Sequence, residues 1–202
     1  MSVIRRGCFV LGVLAAAVAA HADLSFSNLN ATITFEDSSV YNLTVLENAH
    51  GLDITAGSMP MYVDSVNSSH NFATVSVSYD ATSTTNINEL SLMFSGMTFG
   101  SGFVTYDESV FDTSNNLLDS VSGSVSGDNA FIHTDVLSFD SVTAFHVTKT
   151  FTLDLRTVRE GIITNGSLAS LGIIQQNAVP EPATLGALAI GGLGLLARRR
   201  RK

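Results

Sequence analysis

The segment from Phe145 to Leu155 constrains the fold of this chain more than any other stretch. Phe145, Val147, Phe151, Leu153 and Leu155 occupy alternate positions, with His146, Thr148, Thr150, Thr152, Asp154 and Arg156 between and after them. A period of two puts the two sets on opposite faces of a pleated strand, whereas a helix would scatter both around its axis. The segment therefore predicts a strand with one buried face and one wet face. Lys149 falls on the apolar face, which predicts either an ammonium that snorkels past a sheet edge or a bulge that resets the register. Val75, Val77 and Tyr79 set against Thr74, Ser76 and Ser78 repeat the pattern.

The same spacing recurs along the chain. Candidate strands are 24–26, 31–35, 40–46, 59–66, 72–79, 88–94, 102–106, 118–125, 130–132, 136–139, 142–155 and 168–174, with Ser, Thr, Asn, Asp and Gly crowding the connections. Asn165-Gly166, between Ile162-Ile163 and Leu168, reads as a two-residue hairpin turn because both residues tolerate positive φ. Short strands at regular intervals predict an all-β protein with a single β-sandwich domain, jelly-roll-like in topology. A β-solenoid is the second choice, and no repeat of constant period supports it. Phe26, Phe35, Phe72, Phe94, Phe139, Phe145 and Phe151 stand at core-like positions.

The two ends of the chain have a different chemistry. Arg5 and Arg6 precede an apolar run from Cys8 to Ala20, and Ala20-His21-Ala22 offers the small residues that signal peptidase accepts. Residues 1–22 thus read as a secretory signal peptide for the Sec pathway, with Asp23 as the mature N-terminus. Cleavage removes Cys8, the single cysteine, so the exported domain at 23–178 has neither disulfides nor thiolate ligands and relies on its core. At the other end Val179-Pro180-Glu181-Pro182 is followed by an apolar run at 183–197 and by Arg198, Arg199, Arg200, Arg201 and Lys202. The two prolines restrict φ and are expected to keep the segment out of helix and sheet alike. A helix over 183–197 would be about 22 Å long, shorter than a bilayer core of about 30 Å. It reads as one short transmembrane helix whose basic end stays in the cytoplasm.

This ordered tail resembles the PEP-CTERM sorting signal, which is also catalogued as an ice-binding-protein C-terminal domain. The resemblance covers about residues 178–202. It implies a Gram-negative, exopolysaccharide-producing setting and processing near Pro180-Glu181-Pro182 by an exosortase, a membrane-embedded transpeptidase-like enzyme. It further implies a transient inner-membrane anchor, followed by delivery to the cell surface or the extracellular matrix. It implies nothing about catalysis or about ice.

Charge narrows the partners of the domain. Residues 23–178 hold 17 acidic residues against Lys149, Arg156 and Arg159, a balance of −14. Phosphate backbones bind clustered Lys and Arg, so nucleic acid is not an expected partner. Loop oxygens at Asp107-Glu108, at Asp112 with Asn115 and Asn116, and at Asp128-Asn129 are the type that calcium takes, yet none follows the twelve-residue calcium loop. His50, His70, His133 and His146 are scattered without metal-ligand spacing and read as isolated surface residues. Gly96–Gly100 and Gly123–Gly127 place Thr98 and Val125 where a serine hydrolase needs its nucleophile, which disfavours that activity. Paired carboxylates of a glycosidase are recognised by their separation in space, which the sequence does not give. Asn30, Asn42, Asn67 and Asn165 begin Asn-x-Ser/Thr triplets that chance explains in a chain of this composition. Tyr41, Tyr62, Tyr79 and Tyr106 would make a sugar platform if exposed, although burial is the better reading of each.

The sequence thus predicts a non-enzymatic exported protein with no metal or other cofactor, structural or associated with exopolysaccharide. A carbohydrate- or calcium-dependent lectin-like module is the alternative. A secreted hydrolase is the remote third.

Overall fold

The computed structural model describes residues 23–66, 70–155 and 166–180. The signal-peptide residues, Ala20 and Ala22 among them, lie outside the described residues, as do Asn67, Ile162-Ile163, Asn165 and everything from Glu181 to Lys202.

The described residues form ten strands: β1 (Leu24–Phe35), β2 (Val40–Asn42), β3 (Thr44–Asn48), β4 (Gly51–Thr55), β5 (Tyr62–Asp64), β6 (Phe72–Phe99), β7 (Phe103–Phe111), β8 (Leu117–Ser126), β9 (Asn129–Asp154) and β10 (Leu168–Pro180). All pairings are antiparallel and connect into one sheet of order β3-β4-β10-β6-β9-β7-β8, with β1 and β2 joined through β6 and β5 joined through β10. The all-β expectation holds. The strand count does not, because several predicted strands are halves of one. β6 unites 72–79 with 88–94, β9 unites three predicted segments, and β4 lies in a stretch where none was expected.

β6 and β9 give the sheet two layers. The first half of β6 lies between β1 and the second half of β9, which continues to β7 and β8. The second half of β6 lies between β10 and the first half of β9, with β4 and β3 beyond β10. At the corner the β6–β9 register shifts between Thr82 and Glu89. The buried positions of β6 accordingly move from odd (Ala73, Val75, Val77, Tyr79, Ala81, Ile87) to even (Leu90, Leu92, Phe94). A bulge adds a residue to one strand only, which bends it and changes which residues face inward. Gly172 does the same in β10, where the register shifts between Leu171 and Ile173.

The inner faces of the two layers meet in an aromatic cluster. Phe94, in the second half of β6, lies 4.8 Å from Tyr106 of β7 and 5.1 Å from Phe151 of β9, ring centroid to ring centroid. Side chains from two facing layers interdigitate in this way in a β-sandwich. Around the cluster Ile33, Leu52, Ile54, Val63, Val104, Leu137, Val147 and Ile174 are fully or almost fully buried. Burying a side chain of this size contributes about 1.5–3 kcal/mol.

Lys149 neither snorkels nor marks a bulge. It is 1% exposed within an unbroken register and pairs with Glu108, its direct neighbour on β7, at 2.6 Å between Nζ and Oε1. Burial lowers its pKa from the usual lysine value, and the carboxylate partly offsets this.

Candidate functional site

The outer face of the first layer carries the polar halves of the alternating strands, and the register lines them up in rows. Thr34, Thr74, Thr152, Thr105 and Ser124 form one row across β1, β6, β9, β7 and β8. Thr32, Ser76, Thr150, Asp107 and Ser122 form the next, and Asn30, Ser78, Thr148, Ser109 and Ser120 the third. All of these side chains are partly or fully exposed. Strands lie about 4.8 Å apart and alternate residues about 6.6 Å apart along a strand, so the rows make a grid of hydroxyl groups. Each hydroxyl can donate and accept a hydrogen bond, and Asp107 is the one charged side chain in the three rows. Such a face offers many hydrogen bonds and little charge.

A fourth row holds Asp80, His146 and Phe111, and Asp80 and His146 line a cleft of about 450 Å³ together with Thr82, Asp112, Asn115 and Ala144. Asp80 Oδ1 lies 2.6 Å from His146 Nδ1, and Asp80 Oδ2 accepts a hydrogen bond from Asn28 Nδ2 at 2.6 Å. The β1–β6 register shifts between Ser27 and Asn30, and there Asn28 takes a left-handed backbone with φ 52°, as asparagine tolerates. The Asn28 hydrogen bond, and after it that of His146, holds the Asp80 carboxyl below the usual aspartate range.

Asp112 stands on the far wall of the cleft and closes its own turn. It accepts hydrogen bonds from the backbone of Ser114 and Asn116 and from Asn116 Nδ2, each at 2.8 Å. These bonds, the Asn116 side chain first, lower its pKa as well. A carboxyl whose folded pKa lies below its unfolded value contributes stability above the unfolded pKa, and this is lost as pH falls through the folded pKa. The melting temperature is therefore expected to hold near neutral pH and to fall once pH drops below 3.8, the ordinary aspartate value. Asp80→Asn should weaken that fall, as thermal unfolding at stepped pH would show.

A second polar cluster sits at the rim between the layers. Tyr106 is 4% exposed, and its hydroxyl lies 2.6 Å from His133 Nε2 and bonds the Asp135 carboxylate, while that carboxylate lies 2.9 Å from the same nitrogen. Burial, reinforced by Asp135, pushes the phenol pKa well above the usual tyrosine value. Gly123, directly opposite on β8, leaves room for it, since a Cβ there would stand 2.6 Å from the Tyr106 hydroxyl. Tyr106 is thus a buried hydroxyl that donates to Asp135 and stands within hydrogen-bond distance of His133.

The sequence-predicted site residues fall in separate places. Tyr79 and Tyr106 are buried, and Tyr41 packs edge-on against Phe35, so the four tyrosines form no platform. His146 and His133 are not isolated, being held by Asp80 and by Tyr106 with Asp135. His70 stacks on Phe35 at 4.6 Å. Of the calcium-type loops, Glu108 is buried against Lys149, Asp112 closes its own turn and Asp128 accepts from the Gly100 backbone at 2.8 Å. Among the described residues no group of three or more His, Cys, Asp or Glu side chains is placed to hold a metal ion. Thr98 is buried and donates to the Gly127 carbonyl, and Val125 lies within β8.

The first residues of the tail bring a correction. Val179 and Pro180 belong to β10 and pair with Glu89 and Ile87 of β6, although the prolines were expected to keep this segment unpaired. Pro180 is the last strand residue and follows a register shift after Val179, an irregularity of the kind at which a missing N–H is tolerated. Glu181, Pro182 and the basic end Arg198, Arg199, Arg200, Arg201 and Lys202 lie outside the described residues, as does the apolar run at 183–197. Among the described residues no helix is long and apolar enough to cross a membrane.

Comparison with known proteins identifies the tail. Residues 178–202 match the PEP-CTERM protein-sorting motif, and the chain carries that signal. The motif implies export, membrane-associated sorting and an exosortase as processing partner. No curated protein matches the chain. Among solved structures it is similar to the enzymatically active domain of bacteriophage CBA120 tailspike protein 4, at 13% identity and a TM-score of 0.38 over 76% of this chain and 20% of that one. It thus spans about a fifth of the tailspike chain. It is also similar to the module TmCBM61, solved with β-1,4-galactotriose, at 10% identity and a TM-score of 0.38 over 75% of this chain and 88% of that one.

Proposed function

We propose that this protein is an exported, non-enzymatic component of the cell surface or extracellular matrix, sorted and cleaved by an exosortase and associated with exopolysaccharide. The PEP-CTERM signal at residues 178–202 carries this reading. Signal peptidase would act after Ala22 on the Sec pathway, and Arg198–Lys202 would hold the transient inner-membrane anchor until the tail is removed. The exported domain reads as a jelly-roll-like sandwich that needs no cofactor. The passage of β6 and of β9 from one layer to the other supports a sandwich. The test is mass spectrometry of the mature C-terminus in a host carrying the exosortase. Loss of Arg198–Lys202 is expected, and a wild-type protein that keeps them there is a plainly anchored one.

A second reading, a carbohydrate-binding module, is favoured by the hydroxyl grid and the cleft at its end. The ligand in this reading is a neutral polysaccharide, because the face offers hydrogen bonds with little charge. Thr148→Lys with Thr150→Lys would put bulk and charge at the centre of the grid. The expected result is at least a tenfold loss of retardation in affinity electrophoresis through a neutral polysaccharide. Surface changes of this kind stay within about 0.5 kcal/mol in stability, so the fold should be unaffected. Unchanged retardation would remove the outer face from consideration.

A further inference from the structure

The two layers present unlike outer faces. The first carries the hydroxyl grid, whereas the second carries apolar side chains. Among the described residues nine large apolar side chains are exposed, and six of them, Leu46, Met97, Phe99, Ile132, Val136 and Val179, point outward from the second layer. Register fixes their common side. In the second half of β6 the even positions Leu90, Leu92 and Phe94 are buried, so the odd positions, Met97 and Phe99 among them, face out. Ile132 lies opposite Ser95, Val136 opposite Ser91 and Val179 opposite Glu89, all at those odd positions. Leu46 joins them through a row that passes from Met93 to Gln175 and Asp53. Met93 and Ile173, both half-buried, fill the ground between. Single exposed apolar residues are ordinary, but six on one face of a sheet mark a contact surface.

A second copy of the domain fits this face in size, charge and shape. Strands β3, β4, β10, β6 and β9, about 4.8 Å apart and rising about 3.4 Å per residue, span roughly 600 Å² there. Two such faces bury about 1,200 Å² together, the lower end of what a stable interface needs. Residues 23–178 carry a balance of −14, so two copies repel wherever their carboxylates meet. This face avoids that. Of its described outward side chains only Asp53 and Glu89 are charged, and Asp53 accepts a hydrogen bond from Gln175 Nε2 at 2.8 Å. At the Phe99 end a groove of about 270 Å³, lined by Val66, Met97, Phe99 and Leu168 among others, can receive a side chain from above. Under a two-fold axis each copy supplies both the groove and the apolar side chain that enters it. We propose that two exported domains stack second layer against second layer as a homodimer. The stacking leaves the two hydroxyl grids on opposite outer sides. In the carbohydrate-binding reading this makes the dimer bivalent, but the stacking itself does not depend on that reading.

The test is cysteine cross-linking of the full chain, exported by its own signal. Leu46→Cys with Ile132→Cys places thiols at mid-height on the two flanking strands of the face, about 19 Å apart within one chain and so beyond each other's reach with a short linker. A two-fold axis along the strands sets Cys at 46 over Cys at 132 of the other copy, and an axis across them sets like over like. Asn30→Cys with Ser120→Cys places the same pair on the flanks of the hydroxyl grid. With a bismaleimide of about 10 Å reach, the spacing of stacked sheets, the face pair is expected to give about fivefold more dimer than the grid pair. The chain without added cysteine should give none. Raising salt from about 0.05 M to about 0.5 M should raise the yield, because it screens the like charges around an apolar contact. Met97→Lys with Val136→Lys, added to the face pair, should cut the dimer by about fivefold, since each lysine would be buried without a partner. Equal yields from the two faces, a yield that salt lowers, or one that the lysines leave unchanged would overturn the proposal. So would the absence of dimer from the face pair, whether a lipid surface or another protein covers the face instead. Should the lysine variant fail to fold, the comparison of the two faces decides.

Discussion

Lys149→Met is expected to lower the unfolding free energy of the exported domain by about 3–5 kcal/mol, because it leaves the buried Glu108 carboxylate without its counter-charge. The two side chains are 0% and 1% exposed. Among the described residues Glu108 Oε2 already has no hydrogen-bond partner, so little remains to compensate the loss. The companion Glu108→Leu, Lys149→Met should behave in the opposite way. Replacing both charges with apolar groups removes two desolvation costs together, and the double variant should match wild type or exceed it by about 1–4 kcal/mol. Urea unfolding of the two variants beside wild type gives both numbers. A single variant that loses less than about 1 kcal/mol would show that water or a shifted proton already relieves the pair.

Phe94→Ala is expected to cost a further sort of stability, about 3–5 kcal/mol of packing. Phe94 is fully buried and touches Tyr106, Phe131, His133 and Phe151, so its ring ties the second half of β6 to β7 and to both halves of β9. Its removal leaves a cavity between the layers that neither can close alone. Domains of ordinary stability hold about 5–15 kcal/mol in all, so the variant should unfold at markedly lower urea and show exposed apolar surface near its midpoint. Phe94→Leu keeps much of the volume and should lose well under half as much. Equal losses in the two variants would place the effect in the aromatic contacts rather than in the cavity.

Strand faces were legible from residue order because side-chain direction alternates with every residue, whatever the strand pairs with. The run from Phe145 to Leu155 and the pair of Thr148 and Thr150 on its wet side needed no partner to be read. The tail was legible for a related reason. Prolines, an apolar run and five terminal cations act through local chemistry and chain order.

Whatever depends on two strands at once was decided only by the tertiary structure. Register between β6 and β9 brings Asp80 to His146, and register between β7 and β9 brings Glu108 to Lys149, across 66 and 41 residues of chain. The bulges near Ile87 and at Gly172 move the buried set from odd to even residues, and no single strand announces such a change. The hydroxyl grid is likewise a property of five strands in register. Pro180 shows the balance most directly: its ring forbids an N–H bond wherever it stands, but the sheet still accepts it at the register shift after Val179.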